Sequence, residues 1–222
     1  MVKTVLFMLL SAHFLADFYF QSSKLSDSKR SNSISLLIHC GIHFIAMLIL
    51  TIPVINLKVS LVIVAITVSH YIIDLFKSRF EETPKVYIID QILHIGIIFV
   101  SALILSNDVY SYFTISYLSW ILALIVIINP VRITLQKTLI NFKPEDDQGY
   151  ANAGALIGIL ERVIILMLLS QGQYIAISFV ITAKSIVRYD KISKDIRFSE
   201  YYLLGTLTSL LSVIVVYIFV IA

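Results

Sequence analysis

Windows of about 20 mainly apolar residues, the length a helix needs to cross the hydrocarbon layer of a bilayer, recur along almost the whole of this sequence. Eight fit, near residues 4–20, 34–54, 57–76, 86–105, 111–129, 151–170, 173–189 and 201–221. With 59% hydrophobic and 14% charged residues, the chain carries far less charge than the roughly 25% of an ordinary soluble domain. Only four Pro and seven Gly interrupt the apolar runs, so the soluble, disordered and collagen-like classes are excluded together. The expected fold is an all-α, polytopic integral membrane helical bundle of about eight transmembrane helices, a single membrane domain over residues 1–222. The first window follows Lys3 as a signal peptide would. It contains His13 and Asp17 and lacks a small-x-small cleavage site, so it is expected to remain as a helix.

Basic residues orient such helices, because Lys and Arg near helix ends stay on the cytoplasmic side. Lys24, Lys29 and Arg30 fall in residues 21–33, Lys77, Arg79 and Lys85 in 77–85, and Arg132, Lys137 and Lys143 in 130–150. Lys184, Arg188, Lys191, Lys194 and Arg197 form a fourth group, so that 14 of the 17 basic residues mark alternate connections. The net charge of +3 is therefore an orientation signal, not a nucleic-acid patch. An even number of spans puts both termini on the non-cytoplasmic side. Tyr19, Tyr87, Tyr110, Tyr174 and Tyr201 sit at span ends, where interfacial aromatics belong. The single cysteine, Cys40, forms no intrachain disulfide and no cysteine metal cage.

All five histidines lie in the first half (1–110), and each has a ligand-type residue four positions away. The pairs are His13 with Asp17, His39 with His43, His70 with Asp74, and Asp90 with His94. Residues four apart share a helix face, and chance from composition gives such a set with a probability on the order of 10⁻³. Counted from the cytoplasmic ends of helices that alternate in direction, all eight lie roughly 3 to 14 Å deep, in one layer. Imidazole and carboxylate together suit a divalent transition metal, Zn, Fe or Mn, as one or two ions. Gln21 and Gln91 stand close to the acids and are expected to hydrogen-bond behind the ligands. A metal-free proton path and a purely structural network are the alternatives.

The second half (111–222) has no histidine. Gly154 and Gly158 form a GxxxG face suited to close helix packing. Glu161 and Arg162 fall near the centre of the sixth window, point in different directions and each need a partner. Lys184 and Arg188 share a face of the seventh, and Glu200 begins the eighth. One reading is snorkelling and interhelical ion pairs. The other is a substrate clamp in which Arg162, Lys184 and Arg188 hold a phosphate or carboxylate, supported by Glu161 and Glu200. Glu145, Asp146 and Asp147 are read as a solvated loop.

Four segments carry a family resemblance: AHFLADFYFQ at 12–21, HCGIH at 39–43, HYIIDLFKSR at 70–79 and DQILH at 90–94. Together with GALIGILER at 154–162, AKSIVRYD at 183–190 and EYYLLGTLTS at 200–209, the chain resembles bacterial integral-membrane proteins of domain-of-unknown-function family 3307. That resemblance implies a multi-pass protein of the bacterial cytoplasmic membrane and no particular chemistry. More distantly, the HxxxD motifs are similar to those of bacterial inner-membrane proteins predicted to be metal-dependent hydrolases.

HExxH, GxSxG and Walker motifs are absent, as are the histidine clusters of membrane di-iron enzymes and the basic motif of lipid-phosphate phosphatases. Three functions remain. The first is a metal-dependent hydrolase facing the cytoplasm and acting on an anionic or phosphorylated lipid-like substrate. The second is a transporter of divalent cations or protons. The third is a non-catalytic scaffold whose Lys191, Lys194 and Arg197 contact anionic lipid or a soluble cytoplasmic partner, with a homo-oligomer as a further form of assembly. The charge pattern predicts that a reporter active only in the cytoplasm stays silent when fused after Ala222; an active fusion contradicts the assigned orientation.

Overall fold

A computed structural model describes residues 2–105, 115–144 and 153–222. Every regular element among them is helical, and seven helices are long and apolar enough to cross a membrane. The chain divides into two compact units, Met1–Leu122 and Ala123–Ala222. Tyr110, Glu145, Asp146 and Asp147 lie outside the described residues.

The first unit is built on α1 (Val2–Leu15), α3 (Ser33–Thr51), α4 (Leu57–Lys77) and α5 (Pro84–Leu105), with a short α2 (Ser23–Ser28) before α3. Side chains start these helices by accepting from otherwise unpaired backbone N–H groups. Ser22 accepts from Leu25 in α2, Asn32 from Ile34 in α3, and Asn56 from Val59 in α4. Thr83 accepts from Val86, with Pro84 opening α5 in the first turn, where a missing N–H costs nothing. At the other end of α3, Pro53 lies in a 3₁₀ turn, Ile52–Val54, that closes the helix.

α1 packs on α3 and α5, and α4 packs on both α3 and α5. The result is an up-and-down four-helix bundle in which each neighbour runs antiparallel. One end of its interior is apolar, filled by Val5, Met8 and Leu9 of α1, Met47 of α3, Ile63 of α4 and Ile98 of α5, among others. The outward faces carry Ile45 and Ile49, Leu61 and Val68, and Ile92 and Phe99, all exposed. Exposed apolar surface on this scale suits lipid and not water.

α6 (Ile115–Ile128) begins in the first unit and ends in the second, where α7 (Pro130–Thr138), α8 (Ala153–Ser170), α9 (Tyr174–Val187), α10 (Tyr189–Lys194) and α11 (Ile196–Val216) follow. α8 packs on α9 and α11, while α7 packs on α8 and α11. The sequence predicts a connection from residue 130, but the helical run continues to Thr138, carrying Arg132 and Lys137 with it. Proline accounts for the difference. Pro130 occupies the first turn of α7, where it is tolerated, so it bends the run without ending it.

The break leaves carbonyls at the end of α6 without helical partners, and Arg162 of α8 supplies them. Its Nε donates to Ile127 O at 2.5 Å and its second terminal nitrogen to Ile128 O at 3.2 Å. Glu161, the residue before it, accepts from Lys184 Nζ at 2.6 Å, joining α8 to α9. The adjacent charges thus find separate partners, as their divergent directions on the helix require.

The seventh apolar window forms α9, whose 14 residues reach about 21 Å at 1.5 Å per residue, short of the roughly 30 Å hydrocarbon layer. α11 begins at Ile196, capped by Asp195, and so takes Arg197 and Glu200 onto the helix five residues before the predicted start. Tyr87 also departs from the interfacial role, being buried inside the first unit.

Arg162→Met removes two charge-assisted bonds and strands buried carbonyls. It is expected to destabilise the protein by about 2 kcal/mol, read as a lowered thermal transition in detergent; an unchanged transition contradicts the capping role.

Candidate metal centre

The four pairs meet because the bundle is antiparallel. His13 lies at the C-terminal end of α1 and Asp17 in the helical turn that continues it, and His70 and Asp74 lie near the C-terminal end of α4. His39 and His43 lie in the N-terminal half of α3, and Asp90 and His94 in that of α5. Each pair therefore faces the interior at the same end, opposite the apolar packing. Asp17 sits in a π-helical turn, Ala16–Phe20, that ends the first span; such turns recur where a helix re-aims a functional side chain.

All five imidazoles are buried, with His13, His39 and His43 fully inaccessible. His70 is the hub. Its ring centroid lies 3.8 Å from His43, 4.0 Å from His94, 5.2 Å from His39 and 5.7 Å from His13. The carboxylates thread between the rings. Asp17 Oδ1 accepts from His43 Nε2 at 2.8 Å and lies 3.3 Å from His39 Nε2 and 3.8 Å from His70 Nε2. Asp74 Oδ2 lies 3.3 Å from His39 Nε2 and 3.6 Å from His70 Nδ1.

Separations of this kind carry chemical information. Donor atoms on a tetrahedral ion with bonds of 2.0–2.1 Å stand about 3.3 Å apart, close to the 3.3 Å and 3.6 Å spacings around Asp74. Three overlapping groups offer ligand atoms within 4.8 Å of one another: His13, Asp17, His43 and His70; His39, His70 and Asp74; and Asp74, Asp90 and His94. His70 and Asp74 are each shared, which suits one ion or an adjacent pair.

Hydrogen bonding points the same way. His94 Nδ1 donates to the Asp90 carbonyl at 2.8 Å, while its Nε2 is buried without a hydrogen bond of ordinary geometry. A backbone carbonyl that fixes one ring nitrogen and leaves the other's lone pair available is the usual support of a metal-bound histidine. Both nitrogens of His13 and of His70, Nδ1 of His39 and His43, and Asp90 Oδ1 are likewise buried and unbonded. Each orphan costs about 1–3 kcal/mol. Ligand atoms facing a cation would answer to them.

Two residues that the sequence reading assigns only to orientation belong to the site. Lys29 Nζ donates to Asp74 Oδ2 at 3.2 Å and lies 3.3 Å from His39 Nε2. Burial alone would lower this ammonium, but Asp74 and Asp17 outweigh it and raise the pKa above the ordinary lysine value. Lys77 Nζ donates to Asp90 Oδ2 at 2.6 Å. A sequence signal for Lys77 existed, since residues 70, 74 and 77 share one helix face. None existed for Lys29, which reaches Asp74 across 45 positions.

Gln91 Nε2 donates to Asp17 Oδ2 and Asp90 Oδ2, both at 3.3 Å, bridging α1 and α5. The Gln21 amide, assigned from its neighbours, donates to Asp17 O at 3.2 Å and accepts from Lys29 Nζ at 3.3 Å. In the second unit, Glu161, Arg162, Lys184 and Arg188 line one cavity, whereas Glu200 is exposed on α11 and outside that lining.

Lys77→Met leaves Asp90 buried without its counter-charge. It is expected to lower stability by about 3 kcal/mol, with part of the loss recovered when a divalent ion is added. Melting curves with chelator and with Zn²⁺ or Mn²⁺ check this; an equal loss in both media argues against ion binding beside Asp90.

A family model described as "Protein of unknown function (DUF3307)" matches residues 5–123. This stretch is just over half the chain and holds all eight His and Asp residues, Lys29 and Lys77. It ends before the 154–162, 183–190 and 200–209 segments. No curated protein and no solved structure matches the chain.

Proposed function

We propose that this chain, which belongs to the DUF3307 family, is a membrane metalloprotein that holds one or two divalent transition ions at the polar end of its first unit. The observation that carries the proposal is the meeting of five buried imidazoles and three carboxylates with so many unbonded nitrogens. Nitrogen and oxygen donors in this ratio suit Zn, Fe or Mn.

The activity we infer for the centre is hydrolysis of an anionic, lipid-like substrate. A divalent ion there supplies Lewis acidity and a water whose pKa falls to about 7. The protein's own contribution lies in the fixed surroundings. Asp90 O orients His94, Gln91 ties Asp17 to Asp90, and Lys29 and Lys77 place two positive charges beside the carboxylates. Ammonium groups in that position attract an anionic substrate and stabilise charge that develops on it.

The same end bears the basic residues. Arg30 binds Glu82 at 2.8 Å and also the Phe80 carbonyl, joining the segment before α3 to the α4–α5 connection. By the tendency of basic loops to stay inside, we place this end at the cytoplasm of a bacterium. A transporter would use the same ligands, but the other end of the bundle is packed chiefly by apolar side chains, with single hydroxyl residues such as Thr4, Ser11, Thr51 and Ser101 among them and no charged one buried there among the described residues, which favours a closed site.

Metal analysis of purified protein, stripped and reloaded, is expected to show one or two equivalents of transition metal in wild type and a loss in His70→Gln, with Gly41→Ala, in open space on α3, as control. No retained metal in wild type contradicts the proposal. Uptake of labelled metal into proteoliposomes would instead establish transport.

A further inference from the structure

The second unit contains a cavity of about 240 Å³ whose lining is rich in cations. Arg132 of α7, Arg162 of α8, Lys184 of α9 and Arg188, which follows α9, all border it, and Glu161 is the one acidic residue in the lining. Four positive charges against one negative would repel one another in low dielectric unless each were neutralised.

Two of them are accounted for. Lys184 is paired with Glu161 and also donates to Thr206 Oγ1 at 3.4 Å. Arg162 caps Ile127 and Ile128 through Nε and one terminal nitrogen. Its other terminal nitrogen, NH1, takes no part in those bonds and lies 3.3 Å from where a Cβ on Gly158 would stand. The absence of a side chain at Gly158 therefore leaves room for the guanidinium, a use of this glycine beyond helix packing.

Among the described residues, neither of the other two is paired with a carboxylate. Among the described residues, Arg132 Nε is buried with no hydrogen-bond partner, and Arg188 rests over the Phe198 ring, 5.9 Å from its centroid. Two guanidiniums in this condition, at a cavity that also presents the hydroxyl residues Thr206 and Ser209, match the donors that phosphate oxygens accept from. The volume is below the ~300–1,000 Å³ of pockets for drug-sized ligands, which favours a group the size of a headgroup.

We propose that this cavity is an anion site for a phosphate group, held by Arg132 and Arg188 with the remaining terminal nitrogen of Arg162 behind them. The site stands independently of metal binding in the first unit. Its phosphate comes either from a lipid headgroup or from a free phosphate ion, which share this chemistry.

Binding to the full chain separates the sources. Calorimetry with inorganic phosphate in uncharged detergent reads the free anion, and native mass spectrometry from nanodiscs of phosphatidylglycerol or phosphatidylcholine reads the lipid. Saturable binding of phosphate, or retention of phosphatidylglycerol over phosphatidylcholine, supports the site. Arg132→Gln with Arg188→Gln should weaken whichever binding is found at least tenfold, while Lys24→Gln, an exposed cation of the first unit, leaves it unchanged. If the double variant does not fold, Arg188→Gln alone carries the same test. Wild type that binds neither form, or variants that keep wild-type affinity, overturn the proposal.

Discussion

Charge buried in a helical bundle has to be met by other charge or by a cation, and this requirement organises the first unit. Asp17, Asp74 and Asp90 project among five imidazoles where little water reaches them. Lys29 and Lys77 neutralise two of the three carboxylates and leave the third among histidines. With neutral imidazoles, the three acids and two lysines sum to one negative charge, which an added cation reverses. The lysines and the histidine lone pairs thus present two ways of satisfying the same oxygens, and the bundle holds both within a few ångströms.

The rest of that unit follows from keeping the polar layer at one end. Antiparallel helices bring the ends of α1 and α4 beside the starts of α3 and α5, so four short motifs far apart in sequence become one site. The opposite end packs on Val5, Leu9, Met47 and Ile63, all fully buried, and fixes the helix separations from which the ligands are presented. The outer faces are apolar and are left to lipid. The second unit solves the same problem differently, by giving Glu161 a lysine and Arg162 the carbonyls that a proline break exposes.

Much of this was legible in the sequence because its periodicities are simple. Helix faces repeat every three to four residues, so His13 with Asp17 and His70 with Asp74 announced themselves, and alternate basic loops indicated that the pairs share a depth. What was not legible depends on distance in sequence or on local backbone. Lys29 meets Asp74 across 45 positions through tertiary packing alone, and Lys77 counts in sequence as a loop charge although it lies on the ligand face and binds Asp90. Pro130 marks the end of a span by sequence, although its place in the first turn of α7 lets the helical run continue. Glu200 stands close to the basic cluster in sequence, but it is exposed on α11.

The central claim is that the His and Asp layer ligates a metal ion. X-ray absorption at the metal edge, on wild-type protein loaded with Zn²⁺ in detergent, tests it most directly. The account predicts a first coordination sphere of nitrogen and oxygen at about 2.0–2.2 Å, with the outer-shell scattering of more than one imidazole. A spectrum of hydrated zinc, or one without imidazole scattering, would contradict it.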